Sequence, residues 1–177
     1  MQKKIIIAIS GASGAHIGFN VLKHIPSDMQ KHLVVSDHAK VVLAKETDTK
    51  QYSNSDIGAS IASGSYGADI MMITPCSMNM MAKIACGIAD DLITRAASVM
   101  IKENKKLLLA PREMPFSAIA LENMLKLSRL GVIIAPPVAA YYAEVKSVDE
   151  MEDFFIGKWF DLLDIEHNLY KRWSSDD

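Results

Sequence analysis

The chain is short of cysteine, with two in 177 residues, Cys76 and Cys86, ten positions apart and without a second pair. That spacing offers neither a disulfide framework nor a four-ligand zinc site. The five histidines, at 16, 24, 32, 38 and 167, show no metal-ligand spacing, so no metal is expected. Positive charge is not in surplus: 19 Lys and Arg against 21 Asp and Glu give a net charge of −2, with no long basic run. A nucleic-acid partner, which demands a cationic footprint, is therefore not expected. No apolar run reaches the roughly 18 residues of a membrane span, and Ile5–Ile9 is too short for a signal-peptide core. The cytoplasm is the expected location, away from any membrane. Two phosphate-binding fingerprints are missing as well, because glycines at 11, 14 and 18 fit neither G-x-G-x-x-G nor G-x-x-x-x-G-K-[ST].

What is present is apolar: half of the residues are hydrophobic, enough for one well-buried domain over residues 1–177. Ile5-Ile6-Ile7-Ala8-Ile9, without polar alternation, reads as a central parallel strand covered on both faces. It runs into Ser10-Gly11-Ala12-Ser13-Gly14-Ala15-His16-Ile17-Gly18, small residues that let the backbone turn into a helix whose first N–H groups could face an anion. A plain strand-to-helix turn is the competing reading. Ile17, Val21, Leu22 and Ile25 then recur at helical spacing, and Pro26-Ser27-Asp28 stops that helix.

His32–Ser36 reads as the second strand, which would bring Ser36 or Asp37 beside the first loop. Asp37 keeps a dinucleotide reading open through ribose hydroxyls, against the glycine spacing. Asp37–Lys45 reads as a helix ending at Glu46, a carboxylate either solvated or functional, and Thr49–Ser55 as a polar loop. Asp56–Ser65 is rich in small residues that suit close backbone packing or a pocket wall. Ile70–Thr74 is the next strand, and Ser77 stands where it would cap the following helix, whose Met78, Met80, Met81 and Ile84 read first as core filler.

Asp90–Lys102 reads as a helix with an Asp91–Arg95 ion pair at i,i+4. Leu107–Ala110, a strand, ends in Pro111-Arg112-Glu113-Met114-Pro115. An Arg and a Glu held between prolines past the carboxyl end of a buried strand lie where open α/β sheets place ligands. The guanidinium could fork onto a phosphate and the carboxylate could move protons, or the two could simply pair. A helix with Ile119, Leu121, Met124, Leu125 and Leu127 precedes the strand Val132–Ala135 and the loop Pro136–Tyr142. From Val148 a final helix sets Met151, Phe155 and Leu162 on one stripe, together with Lys158, whose stem either snorkels or meets a buried anion. The alternation describes an α/β, three-layer, Rossmann- or flavodoxin-like domain with a parallel sheet, carrying a C-terminal helical extension over 148–177.

Five motifs now stand in order: Ser10-Gly11-Ala12-Ser13-Gly14-Ala15, Pro75-Cys76-Ser77-Met78, Asp91-Leu92-Ile93-Thr94-Arg95-Ala96-Ala97, Pro111-Arg112-Glu113-Met114-Pro115 and Pro136-Pro137-Val138-Ala139-Ala140-Tyr141-Tyr142. Together, from residue 4 to about residue 173, they resemble the UbiX flavin prenyltransferases. The resemblance implies an enzyme that binds reduced FMN and joins a dimethylallyl group from dimethylallyl monophosphate to flavin N5 and C6. The prenylated FMN would serve UbiD-type decarboxylases, in quinone biosynthesis (as for ubiquinone) or aromatic-acid metabolism. It also implies a homododecamer with sites between subunits. By motif matching, Gly11, Ala12, Ser13, Ser36, Ser77, Met78, Asn79, Met80 and Arg112 take FMN positions. Tyr142 and Lys158 match residues that hold the prenyl phosphate, with Lys102 and Arg95 near the phosphates. Ser13, Glu46 and Glu113 match residues implicated in proton handling.

Three positions depart from the family pattern. Asn79 and Met80 stand where a basic residue and Thr are common, and Lys158 replaces an arginine, keeping the charge and losing the fork. The related cysteine decarboxylases, also FMN-dependent, share the fold and carry a histidine past the first loop, as His16 is here, but Pro75–Met80 fits their Pro-Ala-Ser-Ala-Asn-Thr segment poorly. A non-catalytic flavin carrier would need no second phosphate pocket, which Arg112, Glu113 and Lys158 suggest.

Overall fold

A computed structural model of the chain describes residues 2–11, 14–36, 49–141 and 145–172. Six strands form one parallel sheet: β1 (Lys4–Ile9), β2 (Gln30–Val35), β3 (Thr49–Ser53), β4 (Ile70–Cys76), β5 (Lys106–Pro111) and β6 (Ile133–Ile134). Their spatial order is β3-β2-β1-β4-β5-β6, all pairs parallel. Strand order thus reverses between β1 and β4, and ligands of open α/β sheets bind in the crevice beyond the carboxyl ends at such a point.

Helices cover both faces, giving the three layers that the apolar runs predict. Ile5, Ile7 and Ile9 of β1 face α1 (Ala15–His24) and α5 (Val148–Leu162), while Ile6 and Ala8 face α2 (Met78–Ala85), α3 (Leu92–Lys102) and α4 (Ala118–Arg129). Among the described residues no helix is long and apolar enough to cross a membrane.

Four local readings of the sequence change. Thr49–Ser53, expected as loop, is the edge strand β3, whose polar side chains suit an edge and whose pairing to β2 is carried by the main chain. Asp91 does not form the expected surface pair with Arg95: its carboxylate accepts the Thr94 N–H at 2.8 Å while Thr94 Oγ1 accepts the Asp91 N–H at 3.2 Å, a reciprocal cap of α3. On α4 only Ala120 and Leu127 are buried, and Ile119, Leu121 and Leu125 face outward. Lys158 lies on no inward stripe. The buried side of α5 is Glu152, Phe154, Phe155, Ile156, Gly157, Trp159 and Phe160, leaving Lys158 exposed and Leu162 45% exposed.

One buried group makes stability depend on pH. His32 on β2 is fully buried, with Nδ1 3.1 Å from the Tyr52 hydroxyl and Nε2 3.2 Å from the Tyr66 hydroxyl. Lys4 lies 4.2 Å over the Tyr66 ring and Lys50 5.2 Å from the Tyr52 ring. Burial, then repulsion from Lys50 and Lys4, lowers the His32 pKa from 6.5 to about 4. Since an unfolded histidine titrates near 6.5, the unfolded chain takes a proton that the fold refuses as pH falls through this window. Stability is full above the unfolded value and is expected to drop by up to about 3 kcal/mol on approaching pH 4. Denaturant midpoints across that range should fall more steeply for wild type than for His32→Gln; equal slopes would remove His32 from the cause.

Candidate functional site

At the strand-order reversal, the loops after β1 and β4 are tied to each other by the backbone and one serine. Ser10 N donates to Pro75 O at 3.1 Å, its hydroxyl donates to the same oxygen at 3.3 Å, and that hydroxyl accepts the Ser77 N–H at 2.9 Å. Ser77 caps α2 by accepting the Met80 N–H at 3.2 Å, as its position in the sequence predicts. Gly11 has φ +97°, a conformation that L side chains rarely adopt, and Gly14 caps α1 at φ +81°. Ser36 is set beside them by its N–H bonding Ile9 O at 2.9 Å.

These groups open onto a cavity of about 540 Å³ whose wall includes Ser10, Gly11, Ser36, Ser77, Asn79 and Met80. Its far side is Asn54, Ser55, Lys83, Asp90 and Asp91. Asn54 holds the start of α3, its side-chain oxygen accepting the Ile93 N–H at 3.0 Å and its carbonyl the Leu92 N–H at 2.9 Å. Lys83 Nζ donates to both carboxylate oxygens of Asp90 at 2.9 Å; this hydrogen-bonded pairing raises the Lys83 pKa and lowers that of Asp90. The Ser36 hydroxyl is buried and has no hydrogen-bond partner among the described residues. A buried hydroxyl left unpaired costs about 1–3 kcal/mol, a penalty that a ligand oxygen in the cavity would relieve.

A second cavity of about 360 Å³ shares Ser10, Gly11, Ser77 and Asn79 with the first and adds Met78, Arg112 and Glu113. The Arg112 side chain reaches back to the first loop: a Cβ built on Gly14 would lie 3.2 Å from its Nε. Glu113 accepts the Met114 N–H at 3.1 Å and also borders a third cavity of about 370 Å³, between α2 and α4. Cys76, at the end of β4 on the wall of the second cavity, is no nucleophile here: burial pushes its thiol pKa up to about 12, despite hydrogen bonds from Ser10 and Met81 that work the other way.

Of the residues singled out for FMN, every described one, Gly11, Ser36, Ser77, Met78, Asn79, Met80 and Arg112, lines the first or second cavity. Glu113 joins them. Ala12, Ser13, Asp37, Glu46 and Tyr142 lie outside the described residues. Arg95 and Lys102 sit on the exposed side of α3, seven residues apart, with Lys102 Nζ 3.6 Å from Glu103. Neither they nor Lys158 line these three cavities. Asn54, Ser55, Lys83 and Asp90 were not expected in the site; the one signal for the first pair is a polar segment just after a strand.

The Flavoprotein family model matches residues 1–160. Over 183 aligned residues the chain is 48% identical to the flavin prenyltransferase UbiX of Helicobacter pylori, covering 96% of this chain and 98% of that protein. The chain belongs to the UbiX flavin prenyltransferase family. Among UbiX-like structures, it is similar to a dodecameric FMN-dependent UbiX-like decarboxylase from Escherichia coli O157:H7, with TM-score 0.90, 38% identity and 97% and 100% of the two chains covered. AnUbiX (PadA1), solved in complex with FMN and dimethylallyl pyrophosphate, is similar at TM-score 0.90 and 36% identity over 99% of each chain.

Proposed function

We propose that the chain is a flavin prenyltransferase that transfers the dimethylallyl group of dimethylallyl monophosphate to N5 and C6 of reduced FMN, making prenylated FMN. The observation that carries the flavin assignment is the cavity lined by Gly11, Ser36 and the capped start of α2, with the Ser36 hydroxyl buried and without a hydrogen-bond partner among the described residues. The residues fit the group. A cavity of this size falls in the range of small-molecule sites, about 300–1,000 Å³, and the α2 start offers N–H groups and a positive dipole end to the phosphate.

When bound, reduced FMN would supply N5 and C6, which bond to two carbons of the dimethylallyl group as its bond to the phosphate oxygen breaks and phosphate leaves. The protein's part is to hold and to protonate. Gly11, Ser36, Ser77 and the helix start beside Asn79 and Met80 hold FMN, a role shared with Ala12 and Ser13. Arg112 places a cation in the adjoining cavity, and Glu113 beside it exchanges protons, a role shared with Ser13 and Glu46. Asn79 brings a hydrogen-bonding amide without charge, so the backbone N–H groups carry more of the anion's stabilisation.

Lys158 and Tyr142, with Arg95 and Lys102, hold the prenyl phosphate in this reading. Lys158 on α5 and the pair on α3 are exposed on different helices and outside the three cavities, so a site that used all of them would be assembled between copies of the chain. The outward Ile119, Leu121 and Leu125 of α4, with Met114 90% exposed, support such self-association, as does the dodecameric relative. The whole of residues 1–177 acts as one FMN-binding domain in the cytoplasm, and a UbiD-type decarboxylase consumes the product.

Lys158→Ala is expected to weaken dimethylallyl monophosphate binding roughly 10- to 100-fold, the worth of a charge-assisted hydrogen bond, while FMN affinity stays put. Tyr142→Phe should cost less. Titrating each variant with each ligand checks this: loss of FMN instead, or of neither ligand, would break the two-pocket assignment.

A further inference from the structure

The end of α5 and the segment that follows it close into a clasp around one carboxylate. Asp161 accepts hydrogen bonds from His167 Nε2 at 3.0 Å, from Arg172 Nη2 at 2.7 Å and from the Tyr170 hydroxyl. Burial alone would raise its pKa, but these three donors and the Arg172 charge outweigh it and hold the carboxyl at about 2. Asp161 is therefore an anion, and an anchor, at any working pH.

The clasp explains a glycine inside a helix. Gly157 lies in the interior of α5, where glycine costs about 1 kcal/mol against alanine. A Cβ there would stand 2.5 Å from Tyr170 Cδ1 and 2.8 Å from His167 Cε1, so the returning chain crosses α5 where only a residue without Cβ fits. The Tyr170 ring sits 5.0 Å from the Phe154 ring and 5.4 Å from the His167 ring, which fixes its plane. Next to Gly157 is Lys158, exposed, with its ammonium 6.0 Å from the centre of the Tyr170 ring.

We propose that the C-terminal segment His167–Arg172, anchored on Asp161 and admitted by Gly157, positions Lys158 for the prenyl phosphate. This rests on the assignment of Lys158 to that phosphate. A free lysine carries about 2 kcal/mol of rotamer entropy, and this one lacks the planar fork of the arginine that is usual in the family. An aromatic face beside the ammonium favours one set of rotamers and lowers the ordering cost of binding. Asp161, Gly157 and Tyr170 are positioning residues; none need touch the substrate.

Gly157→Ala in the full chain is the direct test, because it favours the helix while displacing Tyr170. The KM for dimethylallyl monophosphate should rise about tenfold, with kcat at saturation, FMN affinity and helix content unchanged. Asp161→Asn should give the same split by a different route, so a folding defect in one variant does not shield the proposal. On a Lys158→Ala background Gly157→Ala should add nothing, since the residue it positions is gone. An unchanged KM in Gly157→Ala and Asp161→Asn, with Lys158→Ala impaired, overturns the clasp and leaves the substrate assignment standing. Additive effects in the double variant, or clasp variants impaired while Lys158→Ala is not, also overturn it, because the clasp would then act on something other than Lys158.

Discussion

Gly11→Val is expected to weaken FMN binding by roughly 100-fold or more, the largest effect of any single change in the site. Gly11 sits at φ +97°, which a β-branched residue reaches only under strain of about 1–3 kcal/mol. Relief would come from turning the peptide, and with it the N–H groups that the loop presents. A Cβ at this position lies 3.5 Å from Ser77 Cβ, ordinary contact, so valine's further methyl groups must enter the cavity or press on the α2 cap. Gly11→Ala should therefore lose much less than Gly11→Val. Fluorescence titration of both variants with FMN decides it: wild-type affinity in Gly11→Val would mean the flavin does not approach this loop.

Glu113→Gln should slow single-turnover prenylation by about 100-fold or more, within the range for loss of a general acid or base. The amide keeps an oxygen that can accept the Met114 N–H, now bonded at 3.1 Å, so the bend before Pro115 should survive. What disappears is the carboxyl group at the border of the cavities holding Arg112 and Met78. FMN affinity should change by less than about twofold, because Glu113 supplies no charge that the flavin phosphate would seek. Turnover at the wild-type rate, with flavin fully bound, would leave Glu113 only its turn-forming hydrogen bond.

The sheet and its crevice were legible because buried parallel strands advertise themselves as unbroken apolar runs: Ile5–Ile9, Ile70–Thr74 and Leu107–Ala110 all lie in strands. Once those strands are placed, Ser36, Ser77 and Arg112 follow from the rule that ligands lie beyond carboxyl ends. Edge strand β3 escaped because its pairing is a property of the backbone and of its neighbour, with little apolar burial to mark it. Lys83 and Asp90 escaped for a related reason, since only the packing of α2 against α3 turns them toward the Ser36 cavity.

Helix α5 shows the limit of periodicity. A single stripe through Met151, Phe155, Lys158 and Leu162 assumes one covering surface. This helix is covered by the sheet, by α1 and by its own returning tail. Burial therefore reaches Glu152, whose carboxylate meets His16 at 2.6 Å and Asn20 at 2.8 Å, and Trp159, whose N–H bonds Ala135 O at 2.9 Å. Lys158, expected on an inward stripe with a stem that snorkels or an ammonium that meets a buried anion, is exposed instead, with its ammonium 6.0 Å from the centre of the Tyr170 ring. On α4 the apolar spacing overstated the buried face, because among the described residues only Ala120 and Leu127 of that helix are buried while Ile119, Leu121 and Leu125 are exposed.

The most direct measurement is the mass of the flavin extracted after the purified protein is incubated with reduced FMN and dimethylallyl monophosphate. A gain of one five-carbon unit, dependent on both ligands and lost in Gly11→Val, is the predicted result; FMN recovered with its mass unchanged, from protein that binds both ligands, would contradict it.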